Sequence, residues 1–177
     1  MIFSPRCCEK QEGSFRFSGP MAARGHNCLN KAIISEFWQG FTYQSSTLQV
    51  SETDEYIFVI GNVQKPKTDA NAYAIAVEPT GICVAAESEQ NLLHGFMTLL
   101  DRIYGVDAED QLALQIDCCQ IRDTPTTANR MVHFCVFPET ELWELQRFIR
   151  LCGALKYTHI ILEFWGMRWV LRFPIWC

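Results

Sequence analysis

Residues 131–164, MVHFCVFPETELWELQRFIRLCGALKYTHIILEF, decide the class of fold that the end of the chain adopts. An apolar run from Met131 to Phe137 and a second run from Thr158 to Phe164 are each typical of a strand buried on both faces. Between them, residues 142–155 place apolar side chains at helical spacing. A strand, a helix and a second buried strand in this order predict a parallel β/α/β unit.

The chain upstream of this unit predicts an α+β domain, an antiparallel sheet with helices on one face. Residues 73–86, YAIAVEPTGICVAA, indicate a hairpin with Pro and Gly in its turn. Ser88 is a good N-cap for the helix that follows, whose apolar side chains recur at helical spacing from Leu92 to Ile103. Trp38 and Trp143 are interpreted as packing residues.

Changes of composition divide the chain into three predicted parts. Residues 1–28 mix Ser, Gly, Pro, Arg and Cys without a period and are expected to form a disordered leader. Residues 29–125 are expected to form the α/β domain, with a boundary near 125–129. Residues 126–177 are then expected to form a separate part of the chain, which contains the parallel β/α/β unit.

Net charge and hydropathy exclude two classes of partner. Fifteen Lys and Arg against twenty Asp and Glu give a net charge of -5, without a basic patch dense enough for a phosphate backbone, so we expect no nucleic-acid binding. The start of the chain has no apolar run of signal-peptide length, and no later stretch is long enough to span a membrane. A cytoplasmic protein is therefore the default expectation.

The nine cysteines have no pattern that predicts a disulfide framework, because their number is odd and their spacing irregular. Most are interpreted as buried thiols in a reducing compartment. The chain has no Cys-x-x-Cys, and the four histidines lack zinc-ligand spacing to any cysteine, so no metal site is predicted. A thiol redox or metal protein stays as an alternative that rests on the cysteine count alone.

Three segments in this order resemble family 20 glycoside hydrolases, the β-hexosaminidases. They are the hairpin AYAIAVEPTGICVAA, the helix NLLHGFMTLLDRI with Gly95, Thr98 and Leu99, and the junction IRDTP with Arg130 five residues after its proline. Residues 141–164 then resemble the first barrel helix and second barrel strand, and the similarity covers roughly residues 48–167. Families that degrade O-linked N-acetylglucosamine or glucuronic acid conjugates carry a similar small domain.

The resemblance implies hydrolysis of β-linked N-acetyl-hexosaminides, in oligosaccharides or other glycosides, without a cofactor. In that mechanism the 2-acetamido oxygen of the sugar attacks the anomeric carbon, an aspartate orients it, and an adjacent glutamate protonates the leaving oxygen. The Asp-Glu pair follows the fourth barrel strand. A complete (β/α)8 barrel takes about 250 residues, so the resemblance implies that residues 126–177 are only its incomplete start. Residues 130–177 hold two strands, so we expect no catalytic residue in this chain and no activity of the chain alone.

At the carboxyl ends of the two predicted strands the sequence differs from the family pattern, and the candidate site lies there. Residues 135–138 read CVFP where the family has an aspartate and then an arginine, and residues 162–167 read LEFWGM where it has a His-rich segment. Glu163 is the best substrate-binding candidate, because active sites of this fold lie at the carboxyl ends of the strands. Trp165 beside it could stack on a sugar ring. Alternatively, Glu163 pairs with Arg168 or caps its strand.

The remaining polar features have simpler interpretations. His133 and His159 are expected to be satisfied or half-exposed strand residues, and Glu109-Asp110 a solvated pair. Residues 168–177, RWVLRFPIWC, fit no helix pattern, which suggests a truncated or frameshifted coding sequence. The alternative of a different class is a stand-alone carbohydrate-binding or interaction module without catalysis.

Overall fold

The computed structural model describes residues 5–27, 29, 31–42, 46–70, 72–108 and 111–166. It divides into two compact units, Met1–Thr126 (unit 1) and Thr127–Cys177 (unit 2). The division falls inside the range 125–129. Among the described residues, no helix is both long and apolar enough to cross a membrane.

Unit 1 is an α+β domain built on one large sheet. Its helices are α1 (Lys31–Phe41) and α2 (Glu89–Leu100). Its strands are β1 (Cys7–Phe17), β2 (Met21–His26), β3 (Leu48–Thr53), β4 (Ile57–Gly61), β5 (Tyr73–Glu78), β6 (Gly81–Ala86), β7 (Tyr104–Ala108) and β8 (Gln111–Asp123). The predicted hairpin and the helix after Ser88 are both confirmed, and the Ser88 side chain accepts a hydrogen bond from the Asn91 backbone N–H at 3.3 Å.

The sheet has the strand order β1-β8-β5-β6-β4-β2-β3, and β7 also pairs with β8. Every described pairing is antiparallel except that of β2 with β3, which is parallel with Met21 opposite Leu48. Helix α1 connects these two strands, and such a crossover is what allows consecutive strands to run in the same direction. The predicted antiparallel sheet is thus confirmed with one parallel pair at its edge.

The expectation of a disordered leader is wrong, because residues 7–26 form β1 and β2. Strand β1 pairs with β8 along most of its length, with an irregularity between Lys10 and Ser14. Its Phe15 and Phe17 side chains are only 8% and 6% exposed. The sequence hides this strand because it is an edge strand with a polar first half, and only two apolar side chains alternate at its end.

Helix α2 covers the middle of the sheet and closes the core of unit 1. Phe96 of α2 packs edge-on against Phe58 of β4, with ring centroids 4.9 Å apart. The hydroxyl oxygen of Tyr73 lies 2.7 Å from Thr98 Oγ1 of α2, and it donates a hydrogen bond to Asp123 Oδ2 at 2.7 Å. A buried polar group is tolerated when it is bonded in this way, so this contact ties the helix to strands β5 and β8.

Strand β7 is absent from the sequence-based expectations, in which the helix after Ser88 continues to Ile103. Residues 104–108 instead pair antiparallel with β8, Gly105 opposite Leu114. The helix ends earlier, at the cap residue Asp101. A strand of only five residues that contains Gly105 and Asp107 gives no clear alternation signal. The pair Glu109-Asp110 lies outside the described residues.

Unit 2 has the predicted β/α/β order: β9 (Met131–Val136), α3 (Leu142–Ala154) and β10 (His159–Phe164). The two strands are parallel, with Met131 opposite His159 and Val136 opposite Phe164. Glu141 and Glu144 form a reciprocal capping box at the start of α3. The ring of Phe134 stacks on that of Phe148, centroids 4.2 Å apart, so one face of the strand pair packs on the helix.

Unit 2 leaves much of its apolar surface uncovered within this chain. The expectation that both strands are buried on both faces is not met, because every residue of β9 and β10 except Val136 is exposed or half-exposed. Trp143 of α3 is 55% exposed, so its interpretation as a packing residue is wrong. Trp38 in α1 is fully buried, as expected. The two-stranded sheet therefore has one face on α3 and one bare face.

Candidate functional site

The candidate site lies on the bare face of the β9–β10 pair. His133 and Cys135 are two residues apart on β9, so their side chains point to the same side of the strand. Glu163 of β10 stands opposite Cys135 in the parallel ladder. Because Phe134, between the two β9 residues, packs on α3, these three polar side chains lie on the opposite face.

Glu163 forms a hydrogen bond with His133. Its alternative pairing with Arg168 falls on a residue outside the described part of the chain. Glu163 Oε2 is 2.8 Å from His133 Nε2. An ionised carboxylate only accepts hydrogen bonds, so the imidazole N–H is the donor. The two side chains are 43% and 50% exposed, and a pair this accessible to water contributes about 0–1 kcal/mol. The contact positions the two groups more than it stabilises the unit.

Cys135 completes a cluster of three different donor types. The imidazole nitrogen of His133, the Sγ of Cys135 and a carboxylate oxygen of Glu163 all lie within 4.8 Å of one another. Among the described residues, this is the one group of three or more His, Cys, Asp or Glu side chains close enough to share a metal ion. The strand ladder fixes their backbones, so the cluster does not depend on loop conformation.

Trp165 lies immediately beyond β10, at the same end of the strand pair as Glu163. Its backbone N–H donates a hydrogen bond to the carbonyl oxygen of Val136 at 2.9 Å, which continues the ladder one residue past the strand. Its side chain is 52% exposed. An indole presented in this way has a free face for a flat apolar partner.

Sequence reasoning identified Glu163 and Trp165 but did not identify His133 and Cys135 as their neighbours. Metal-ligand motifs are recognised by short spacing along the chain, and 28 residues separate Cys135 from Glu163. Both residues come near the carboxyl end of a predicted strand, and in a parallel pair such positions lie side by side. His159 lies at the opposite end of β10, where its Nδ1 is 2.9 Å from Thr158 Oγ1.

The buried thiols of unit 1 do not form a competing site. Cys83, Cys118 and Cys119 are buried and free. Burial raises the pKa of Cys83 to about 11 and, together with the nearby thiol of Cys8, raises the pKa of Cys119 to about 11. A thiol held in its protonated form is a poor nucleophile and a poor metal ligand, so these residues act as small core side chains.

No family model matches the chain, and no curated protein matches it. Solved structures match over most of its length. The family 20 exo-β-N-acetylglucosaminidase of Vibrio harveyi superposes with a TM-score of 0.66 over 90% of this chain, at 21% identity. The N-acetyl-β-hexosaminidase of Streptomyces plicatus gives a TM-score of 0.64 over 89%, at 18% identity. The family 20 enzyme of Streptomyces coelicolor gives 0.62 over 89%, at 18%.

The chain has the fold of part of a family 20 β-N-acetylhexosaminidase. It spans only 24–33% of the length of these structures. The likeness confirms the resemblance recognised in the hairpin, the following helix and the β/α/β unit. At this identity the likeness shows the fold, and the chemistry has to be argued from the residues at the site.

Proposed function

We propose that this chain is the non-catalytic α/β domain and the first β/α/β portion of the catalytic barrel of a glycoside hydrolase that cleaves β-linked N-acetyl-hexosaminides. The observation that carries the proposal is the parallel β9–α3–β10 unit with a polar, bare face at its carboxyl end. In barrel enzymes that face points to the interior, and the carboxyl ends of the strands form the active site.

The distribution of apolar surface supports a larger barrel around unit 2. Ten of the thirteen exposed large hydrophobic side chains in the described part of the chain belong to residues 131–165. This concentration of exposed apolar side chains in one unit supports a contact with further structure. Additional β/α repeats would cover both the open strand edges and the bare face, as in a closed barrel.

Glu163 and Trp165 are proposed to contact the sugar. The carboxylate of Glu163 has two oxygens, and the bond from His133 occupies one of them, so the group retains acceptor capacity for sugar hydroxyls. The exposed indole of Trp165 offers a surface for the apolar C–H face of a pyranose ring. Neither residue is proposed to transfer a proton to the leaving oxygen.

Catalysis itself is assigned to residues beyond those of this chain. The Asp-Glu pair that the resemblance implies would follow the fourth barrel strand, and unit 2 contributes two strands among its described residues. The proposed role of unit 1 is structural, with no part in the cleavage itself. A substrate-assisted mechanism uses the acetamido group of the sugar and requires no cofactor.

The test is an assay of the complete gene product on chromogenic N-acetyl-β-hexosaminides, together with the 177-residue chain. We expect turnover by the complete product and none by the chain alone. Glu163→Gln and Trp165→Ala in the complete product should lower kcat/KM by about 10-fold or more, since one lost contact in a desolvated site costs about 1–3 kcal/mol.

Trp143→Ala is the matched control, because Trp143 is a tryptophan of α3, which packs on the face of the strand pair opposite to Glu163. It should leave kcat/KM within about twofold. Failure of the complete product to hydrolyse any N-acetyl-hexosaminide would overturn the proposed activity. Turnover by the 177-residue chain would show instead that the catalytic residues lie within it.

A further inference from the structure

We infer that His133, Cys135 and Glu163 form a zinc-binding site on the bare face of unit 2. The inference rests on the register of β9 and β10 and on the distances between the three donor atoms, and it shares Glu163 with the proposed sugar contact. Neither the spacing of the cysteines along the chain nor the resemblance to family 20 enzymes predicts this site, which becomes visible when the two strands are paired.

The donor set matches the preferences of Zn²⁺. Zinc in proteins is bound by imidazole nitrogen, thiolate sulfur and carboxylate oxygen, and three protein ligands with one open position form the usual non-structural site. The cluster supplies one donor of each type. A thiolate and a carboxylate carry two negative charges with a neutral imidazole, so they balance the charge of the divalent ion. Hard cations such as Mg²⁺ prefer sites made of oxygen alone.

The distances require small side-chain adjustments and no backbone movement. For zinc bonds of about 2.0–2.3 Å, tetrahedral geometry places ligand atoms about 3.4–3.6 Å apart. The three donors already lie within 4.8 Å of one another. His133 Nε2 and Glu163 Oε2, at 2.8 Å, are closer than that because a proton joins them. Placing the ion between them opens this pair by well under 1 Å.

The binding step is a proton-for-metal exchange. Zinc forms bonds to His133 Nε2, Cys135 Sγ and a Glu163 oxygen. The thiol proton of Cys135 leaves to solvent, and the imidazole presents Nε2 as a lone pair with its proton on Nδ1 or released. The three side chains are only partly buried, so a water can take the fourth position and be exchanged for an oxygen ligand.

The experiment is a titration of the metal-free 177-residue chain with Co²⁺ under reducing conditions, followed by displacement with Zn²⁺. We expect one equivalent of Co²⁺ to produce a thiolate-to-cobalt charge-transfer band and the visible bands of tetrahedral cobalt. Zn²⁺ should remove both. Cys135→Ser should abolish the charge-transfer band. His133→Ala and Glu163→Gln should weaken cobalt binding by at least about 100-fold, more than the 10–100-fold that is typical when a residue that only supports a metal ligand is changed.

Two variants serve as matched controls. His159→Ala removes a histidine from the other end of β10, and Cys7→Ser removes an exposed cysteine of unit 1. Both should retain the full cobalt spectrum. Circular dichroism of every variant checks that the fold is intact.

Two results would overturn the inference. One is the absence of stoichiometric binding by the unmodified chain, and the other is a charge-transfer band that survives in Cys135→Ser. Because the titration contains no sugar, its outcome is separate from that of the glycosidase assay.

Discussion

Gly95→Ala probes the closest contact between helix and sheet in unit 1. A Cβ atom at Gly95 would lie 2.6 Å from Val84 Cγ1 and 3.1 Å from Tyr73 Cδ2. Carbon atoms in good contact are about 3.5–4.0 Å apart, so the added methyl group overlaps both neighbours. Val84 and Tyr73 are almost completely buried and have little room to move. Helix α2 must therefore shift away from β5 and β6 or strain its side chains.

Two opposing terms set the size of the effect. Alanine is about 1 kcal/mol better than glycine inside a helix, whereas an extra methyl group in a packed core costs about 1–3 kcal/mol. The 2.6 Å approach places the cost at the upper end of that range. We expect the free energy of unfolding to fall by about 2 kcal/mol, the overpacking cost less the helix gain.

Gly40→Ala is the control in the same unit. A Cβ at Gly40 of α1 would meet no described atom within 4 Å beyond its own helix and chain neighbours. The same substitution there should stabilise by up to about 1 kcal/mol. The measurement is urea unfolding followed by far-ultraviolet circular dichroism, in which the two midpoints should differ by roughly 1 M or more. A Gly95→Ala protein as stable as Gly40→Ala would refute the close packing of α2.

Two further predictions concern the edge and the centre of the same sheet. Phe17→Ala should lower the free energy of unfolding by about 3–5 kcal/mol, as for a buried aromatic. Ile33→Ala, at a residue that is 43% exposed, should lower it far less. Equal urea midpoints for the two variants would contradict the burial of Phe17 on β1. Burial raises the pKa of Tyr73 above its usual value, so the folded state holds the phenol proton more tightly than the unfolded state. The contribution of this proton to the free energy of unfolding is therefore complete below about pH 10 and decreases above it. Tyr73→Phe should therefore be about 1 kcal/mol less stable than the natural chain near pH 8. This difference in the free energy of unfolding should decrease as the pH rises beyond about 10. A difference that stays constant would show that Tyr73 ionises as in the unfolded chain.

Local signals in the sequence were sufficient to predict those elements whose turn or cap residues lie within or next to them. The hairpin of β5 and β6 has Pro79 and Gly81 in its turn, and α2 begins at the N-cap Ser88, so both were predicted near their observed bounds. The β9–α3–β10 order followed from two apolar runs around one amphipathic helix. Each of these patterns arises from residues within a few positions of one another.

The features that escaped prediction depend on pairing between strands. Strand β1 is largely polar and pairs with β8, about a hundred residues away, whereas β7 has only five residues and pairs with β8, the next strand in the chain. The cluster of His133, Cys135 and Glu163 is likewise a product of register between strands. A shift of one residue in that register would turn Glu163 to the α3 face. Ligand spacing along the chain therefore does not identify the cluster, and matching positions on the two paired strands are needed.

The parallel register of β9 and β10 underlies both the proposed barrel and the cluster of His133, Cys135 and Glu163. The most direct test is to measure nuclear Overhauser contacts between the backbone protons of residues 131–136 and those of residues 159–164. We expect contacts that place Cys135 opposite Glu163 and His133 opposite Ile161, with both strands running in the same direction. Contacts showing antiparallel pairing, or joining residues 131–136 to a strand of the large sheet of unit 1, would contradict the account.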